Sequence, residues 1–138
     1  MKNLFVLAAF SAVVGCTNRA CDVDITNYEW ELKYVETGGE KCNNTKGKSA
    51  YVLQFNLDTV FGMNTPSNLA GGFYEIEECG DIIVHTYHNL TEAGEFPEDV
   101  PLNTALYETF GAVTEYTLQG KKLTFSGSRG TVVFREIQ

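Results

Sequence analysis

Short runs in which apolar residues fall on every second position recur along this chain and constrain its fold more than any other feature. From Tyr28 to Val35, the residues Tyr28, Trp30, Leu32 and Tyr34 share one parity, with Glu29, Glu31 and Lys33 on the other. Side chains of an extended strand alternate between faces, so this spacing predicts a half-buried strand. Tyr51, Leu53, Phe55 and Leu57 repeat the pattern with a strongly apolar face. Further strands are expected at Val60 to Met63, at Gly71 to Ile76 and at Ile82 to His88. The glycines of the second allow a bulge or a close backbone approach, and the two apolar faces of the third suit a central or barrel-closing place. Between the first two strands, Thr37 to Ser49 is polar and rich in Gly, Asn and Lys, which predicts a loop or an irregular hairpin.

The period then changes. Thr91 to Pro101 is acidic and holds two prolines, as a loop would. Beyond it Leu102, Leu106, Phe110 and Val113 fall at helical spacing, so one helix of about ten residues is expected, ending near Gly111. The tail returns to strands at Val113 to Leu118, Lys122 to Ser126 and Thr131 to Ile137, joined by Gly-containing turns. The expected fold is therefore mainly β (α+β): a curved antiparallel sheet or small β-barrel with one packed helix over an opening or face.

The first residues carry a different message. Lys2 provides a short positive start and Leu4 to Val14 an apolar run, the order of a signal peptide over residues 1–15. A membrane-spanning helix needs roughly 20 apolar residues, more than this run offers. The segment Val13-Val14-Gly15-Cys16 resembles a lipobox, after which processing leaves Cys16 as the first residue with its sulfur on diacylglycerol. Two or more acyl chains, palmitate among them, anchor a protein stably where one does not. Residues 16–27 then serve as a tether and 28–138 as the domain. A bacterial cell-envelope location follows as an expectation, and Thr17 in place of an Asp after Cys16 favours the outer membrane, facing periplasm or surface.

Removing residues 1–15 takes away only Lys2 among charged residues, leaving nine basic against 18 acidic side chains and a net charge of −9. Such a domain has no electrostatic basis for gripping nucleic-acid phosphates or anionic head groups. Glu75, Glu77, Glu78 and Asp81 form the densest acidic group and suit a solvated strand end. With Cys16 assigned to lipid, Cys21, Cys42 and Cys79 allow one intramolecular disulfide. Cys42 with Cys79 is the preferred pair, since both lie in turn-like surroundings within the domain. Cys21 with either of them is the rival, Cys21 lying in the tether.

The order of features resembles the META domain, the family that includes HslJ-type heat-shock lipoproteins of the bacterial envelope. Trp30-Glu31-Leu32 matches the opening strand and Tyr51-Val52-Leu53-Gln54-Phe55 the aromatic strand; Gly62-Met63-Asn64 and Gly72-Phe73-Tyr74 match the steps that follow. Leu106 to Tyr116 resembles the helix and what comes after it, and Gly120-Lys121-Lys122-Leu123-Thr124-Phe125 the closing motif. The similarity covers residues 28–138. Met63 stands where the family has Cys, and Leu102 to Phe110 holds no cysteine, so the family's usual disulfide is absent. The resemblance implies a small barrel or half-barrel with a packed helix, tied loosely to envelope stress, and brings no catalytic residues.

Chemistry-bearing candidates are few. His85 and His88 are three apart on one expected strand, which sends them to opposite faces, and no C-x-x-C spacing occurs, so no metal site is expected. Ser126-Gly127-Ser128-Arg129-Gly130 joins two strands and lacks the first Gly of a nucleophile elbow. No phosphate-binding glycine pattern appears, and no cofactor or catalytic residue is expected. Asp58-Thr59-Val60 resembles an O-glycosylation motif, while the sequons Asn43-Asn44-Thr45 and Asn89-Leu90-Thr91 carry little meaning in a bacterial lipoprotein. Tyr28, Trp30, Tyr34, Tyr51, Phe55, Phe73, Tyr74 and Tyr87 lie on expected strands, where they pack a core or line a cleft. The sequence thus suggests a monomeric, non-catalytic envelope lipoprotein with a binding or structural domain. Two alternatives stand beside it: an inhibitor presenting the Thr91 to Pro101 loop to an envelope enzyme, and a lipocalin-like binder of a small ligand.

Overall fold

The computed structural model describes residues 23–47, 49–56 and 59–137. The expected signal peptide over residues 1–15, Cys16, Cys21, Leu57 and Asp58 lie outside the described residues. Among the described residues, nine strands form one antiparallel sheet: β1 (Glu29–Thr37), β2 (Glu40–Asn43), β3 (Val52–Asn56), β4 (Val60–Asn64), β5 (Leu69–Glu75), β6 (Ile83–Asn89), β7 (Val113–Gln119), β8 (Lys122–Gly127) and β9 (Gly130–Glu136). Helix α1 (Val100–Phe110) stands between β6 and β7 in the chain. The strand order is β6-β5-β4-β3-β1-β9-β8-β7, with β2 added beside β1. The sheet curls into a half-barrel that α1 packs against, as the alternating pattern predicts.

The first strand departs from simple alternation. Trp30 and Leu32 are fully buried, yet Val35 replaces Tyr34 as the next inward residue. The pairing of β1 with β9 slips between Leu32 and Tyr34, a β-bulge that reverses the parity of all that follows. At the same point β1 changes neighbour on its other side: Leu32 donates its N–H to Tyr51 O at 3.0 Å, while Asn44 donates to Lys33 O at 2.9 Å. The segment expected as a loop or irregular hairpin is a regular one, with Thr37 paired to Glu40. Gly38 and Gly39, at φ 58° and 79°, supply the left-handed turn that matches strand twist.

The two ends of the sheet meet along only part of their length. Ile82 donates to Thr114 O at 3.1 Å and Tyr116 to Gly80 O at 2.8 Å, with Asp81 bridged to Glu115. Further along, α1 is the neighbour of β6 at the seam, while the helix packs chiefly against β1 and β9. Phe110 at the helix end anchors it, meeting Phe61, Tyr87, Phe125 and Phe134 at centroid distances of 5.2 to 6.1 Å. These rings fill the interior; Phe61, Phe110, Phe125 and Phe134 are at most 1% exposed.

The expected Cys42–Cys79 disulfide does not form. Cys42 is a free, half-buried thiol on β2, whereas Cys79, in the turn between β5 and β6, is disulfide-bonded. Pairing Cys42 with β1 places it on a different part of the sheet from that turn.

Candidate functional site

The site grows from an irregularity in β6. Pairing with β5 slips between Gly71 and Phe73, and Thr86 adopts φ 51°, a left-handed conformation that a β-branched residue rarely takes. Gly72 makes room for it, since a Cβ there would lie 2.5 Å from His85 O and 2.7 Å from Thr86 O. The extra residue moves the inward positions from every second to a three-residue step, so Val84 and Tyr87 are both buried.

One consequence corrects the expectation for the histidines. His85 pairs with Phe73 and His88 with Gly71, two positions of one face of β5, so both imidazoles lie on the outer surface. His85 Nε2 sits 3.4 Å from Glu75 Oε2, and His88 Nδ1 lies against Thr86 O. Among the described residues, no three His, Cys, Asp or Glu side chains come together as a metal set.

The other consequence is a cleft. The bulge aims Tyr87 at α1, where Tyr107 stacks on it with centroids 5.3 Å apart and planes inclined by 29°. Tyr87 is buried and Tyr107 is 54% exposed, so the pair presents one open aromatic face. On one side lies a cleft of about 270 Å³ lined by Asn89, Asn103, Thr104 and Glu95 as well as the two rings. A wider hollow of about 420 Å³ lies on the other side, with Glu108 and Arg129 on its rim.

Hydrogen bonds order the polar wall of this cleft. Tyr51 donates its hydroxyl to Asn103 Oδ1 at 2.5 Å, leaving Asn103 Nδ2 to donate to Glu95 Oε1 at 3.0 Å. Burial pushes the Tyr51 phenol well above its usual range, with the Asp99 and Glu95 carboxylates adding to it. Burial does the same for Tyr87, helped by Tyr51 and Tyr107. Tyr51 therefore remains a donor at neutral pH, which fixes the orientation of the Asn103 amide.

The loop over the cleft is held at two points. Asn68, buried in the β4–β5 turn, donates Nδ2 to Ala93 O at 2.9 Å and accepts from Ala93 N at 2.9 Å and Thr91 Oγ1 at 2.8 Å. Lys46 reaches Glu98 at 3.2 Å and the buried Asp99 at 3.4 Å, with Phe96 beneath its ammonium at 5.3 Å. The hydrogen bond that Lys46 donates to Glu98 raises the Lys46 pKa, while Glu98 is lowered by its own backbone N–H and then by Lys46. Residues expected as loop up to Pro101 end earlier: Pro97–Asp99 form a 3-10 turn and α1 begins at Val100.

The expected site residues fall in several places. Tyr87 lines the cleft, and Tyr51 is core that bonds to its wall through Asn103; Trp30, Phe55 and Tyr74 are core; Phe73 and Tyr28 face solvent away from it. Ser128 sits at the tip of the β8–β9 hairpin and Thr59 in the β3–β4 turn. Asn103, Glu95 and Tyr107 carry no sequence signal of their own, because their roles depend on the seam where α1 meets β6.

No family model and no curated protein match the chain. Two solved structures are similar in fold. A protein from Burkholderia xenovorans, determined by NMR, superposes with a TM-score of 0.66 at 14% identity, covering 87% of each chain. A DUF4847 family protein from Bacteroides vulgatus gives a TM-score of 0.55 at 9% identity, over 80% of this chain and 92% of its own. At these identities the likeness concerns architecture alone.

Proposed function

We propose that this chain is a lipid-anchored protein of the bacterial cell envelope whose META-like half-barrel binds a partner, without catalysis, at the cleft between α1 and β6. The observation that carries the reading is the open Tyr107 ring, stacked on Tyr87 beside an ordered row of Asn103 and Glu95. An exposed aromatic face next to fixed amide and carboxylate groups can hold a flat or cationic group by stacking and by hydrogen bonds. The lipobox-like Val13-Val14-Gly15-Cys16 supports the anchor.

The lipocalin-like alternative needs a hollow interior. Phe61, Phe110, Phe125 and Phe134 occupy that space, which favours a ligand on the seam instead. The inhibitor reading draws support from Leu90 and Phe96, which are 55% and 52% exposed at the two ends of the loop over the cleft.

Intact mass of the protein from its own cells tests the anchor: a chain beginning at Cys16 with acyl mass is expected, and an unacylated chain cut elsewhere sinks it. For the cleft, a screen of organic cations and short cationic peptides by nuclear magnetic resonance should shift the Asn103 side-chain amide. Tyr107→Ala should abolish that shift while the fold persists, and ligands that perturb only residues elsewhere would move the site.

A further inference from the structure

We propose that a disulfide between Cys21 and Cys79 clamps the tether to the closed end of the half-barrel, so that the lipid anchor holds the α1–β6 cleft away from the bilayer. The inference rests on the anchor reading above. Cys79 is disulfide-bonded and Cys42 is a free thiol, and the chain's two other cysteines are Cys16 and Cys21. A sulfur alkylated by diacylglycerol has no valence left for a disulfide, so Cys21 is the remaining partner.

The fold places the two ends within reach. Gly80, next to Cys79, accepts a hydrogen bond from Tyr116 N at 2.8 Å. Val23 packs on the core and Ile25, 1% exposed, accepts from Trp30 Nε1 at 2.8 Å, which fixes where the chain enters the domain. The Tyr116 phenol feels both Asp24 and Asp81, after burial and its Gly80 contact, so entry point and turn flank one side chain. Three residues from Cys21 to Asp24 span up to roughly 10 Å, enough for the Cα separation of about 5.5 Å that a disulfide requires. The two thiols give up two electrons and two protons to the disulfide of an envelope thiol oxidoreductase, which leaves as a dithiol.

The clamp sets an orientation. Only Thr17 to Ala20 separate Cys21 from the anchored Cys16, so the closed end lies within roughly 18 Å of the acyl attachment. Cys79 precedes β6, whereas the cleft is lined by Tyr87 and Asn89 at its far end. From Asp81 to Asn89 a strand rises about 26 Å. The cleft thus points outward, to a partner in the aqueous space.

Peptide mapping of the lipidated full chain without reduction, free thiols first alkylated, is the test. Expected are an acylated Cys16 peptide, a cross-linked Cys21–Cys79 pair and an alkylated Cys42. An acylated Cys16 with Cys79 free or linked to Cys42 overturns the clamp and leaves the anchor reading standing; Cys16 without acyl overturns both. Orientation is read in vesicles on a Cys42→Ser background, with a fluorophore at Lys121→Cys or Glu92→Cys and nitroxide on the lipid head groups. Quenching should be several-fold stronger at 121, beyond the closed end, than at 92. Equal quenching at the two positions overturns the orientation.

Discussion

Tyr107 stacks on Tyr87 from the solvent side while Phe110, one turn further along α1, meets the same Tyr87 edge-on at 5.7 Å. The helix therefore uses one tyrosine of β6 twice, once for packing and once for display. Phe110 is fully buried among four rings and Tyr107 is more than half exposed.

Substitution should separate these roles. Phe110→Ala removes the centre of the aromatic cluster and is expected to cost about 3–5 kcal/mol in urea unfolding. Tyr107→Ala should cost only about 1 kcal/mol, near the value of one aromatic pair, while removing the proposed binding face. A Tyr107→Ala loss as large as that of Phe110→Ala would make Tyr107 a packing residue and the cleft incidental.

Much of the architecture was legible in the spacing of apolar residues because strands with one buried face advertise it at period 2. The helix was legible for the same reason at its own period, and Gly111 marks its end at Phe110. What failed were the two bulges. At Lys33 the slip exchanged Tyr34 for Val35 as the inward residue, and at Thr86 it put His85 and His88 on one face. A bulge is a negotiation with the neighbouring strand, so its position is set by residues far away in sequence, such as Gly72. The cleft was legible only through Tyr51 and Tyr87, since Asn103 and Glu95 acquire meaning when the helix meets β6 at the seam. The disulfide misled because the residues around Cys42 that look turn-like form strand β2, which holds it beside β1 and away from the Cys79 turn.

The bulge at Thr86 leads to a paired expectation. Gly72→Ala sets a Cβ against two carbonyl oxygens of β6 and should destabilise by at least about 2 kcal/mol, as overpacking against backbone does. Thr86→Gly relieves a left-handed β-branched residue and should raise stability by up to about 1 kcal/mol. Thermal or urea unfolding measures both. A neutral Gly72→Ala would mean that β5 and β6 are not so closely apposed.

Asn68 satisfies both backbone groups of Ala93 with one side chain, so its loss leaves a buried turn and a loop unpaired together. Asn68→Ala should cost about 1–3 kcal/mol. It should also speed hydrogen exchange at the Ala93 amide far more than at amides of β8. Exchange that rises equally everywhere would show global loosening in place of a released loop.

Stability should fall on the alkaline side for a reason that the tyrosines supply. Tyr51, Tyr87 and Tyr116 are all raised above the ordinary phenol range, chiefly by burial. In the unfolded chain these phenols ionise near pH 10, while in the folded protein they stay neutral. The unfolded state then binds fewer protons than the native one, so unfolding becomes easier as pH rises through 10 and above. Below the unfolded value the contribution is fully present, and pH 5 to 9 should show no change from this source. Midpoints of urea unfolding between pH 8 and 11.5 test it, with Tyr87→Phe as the control that removes one ionisable group and keeps its ring. The variant should lose less stability across that interval than the unaltered protein. An identical decline in both would assign the alkaline loss to other groups and place Tyr87 in a more open environment than its contacts with Phe61 and Phe110 describe.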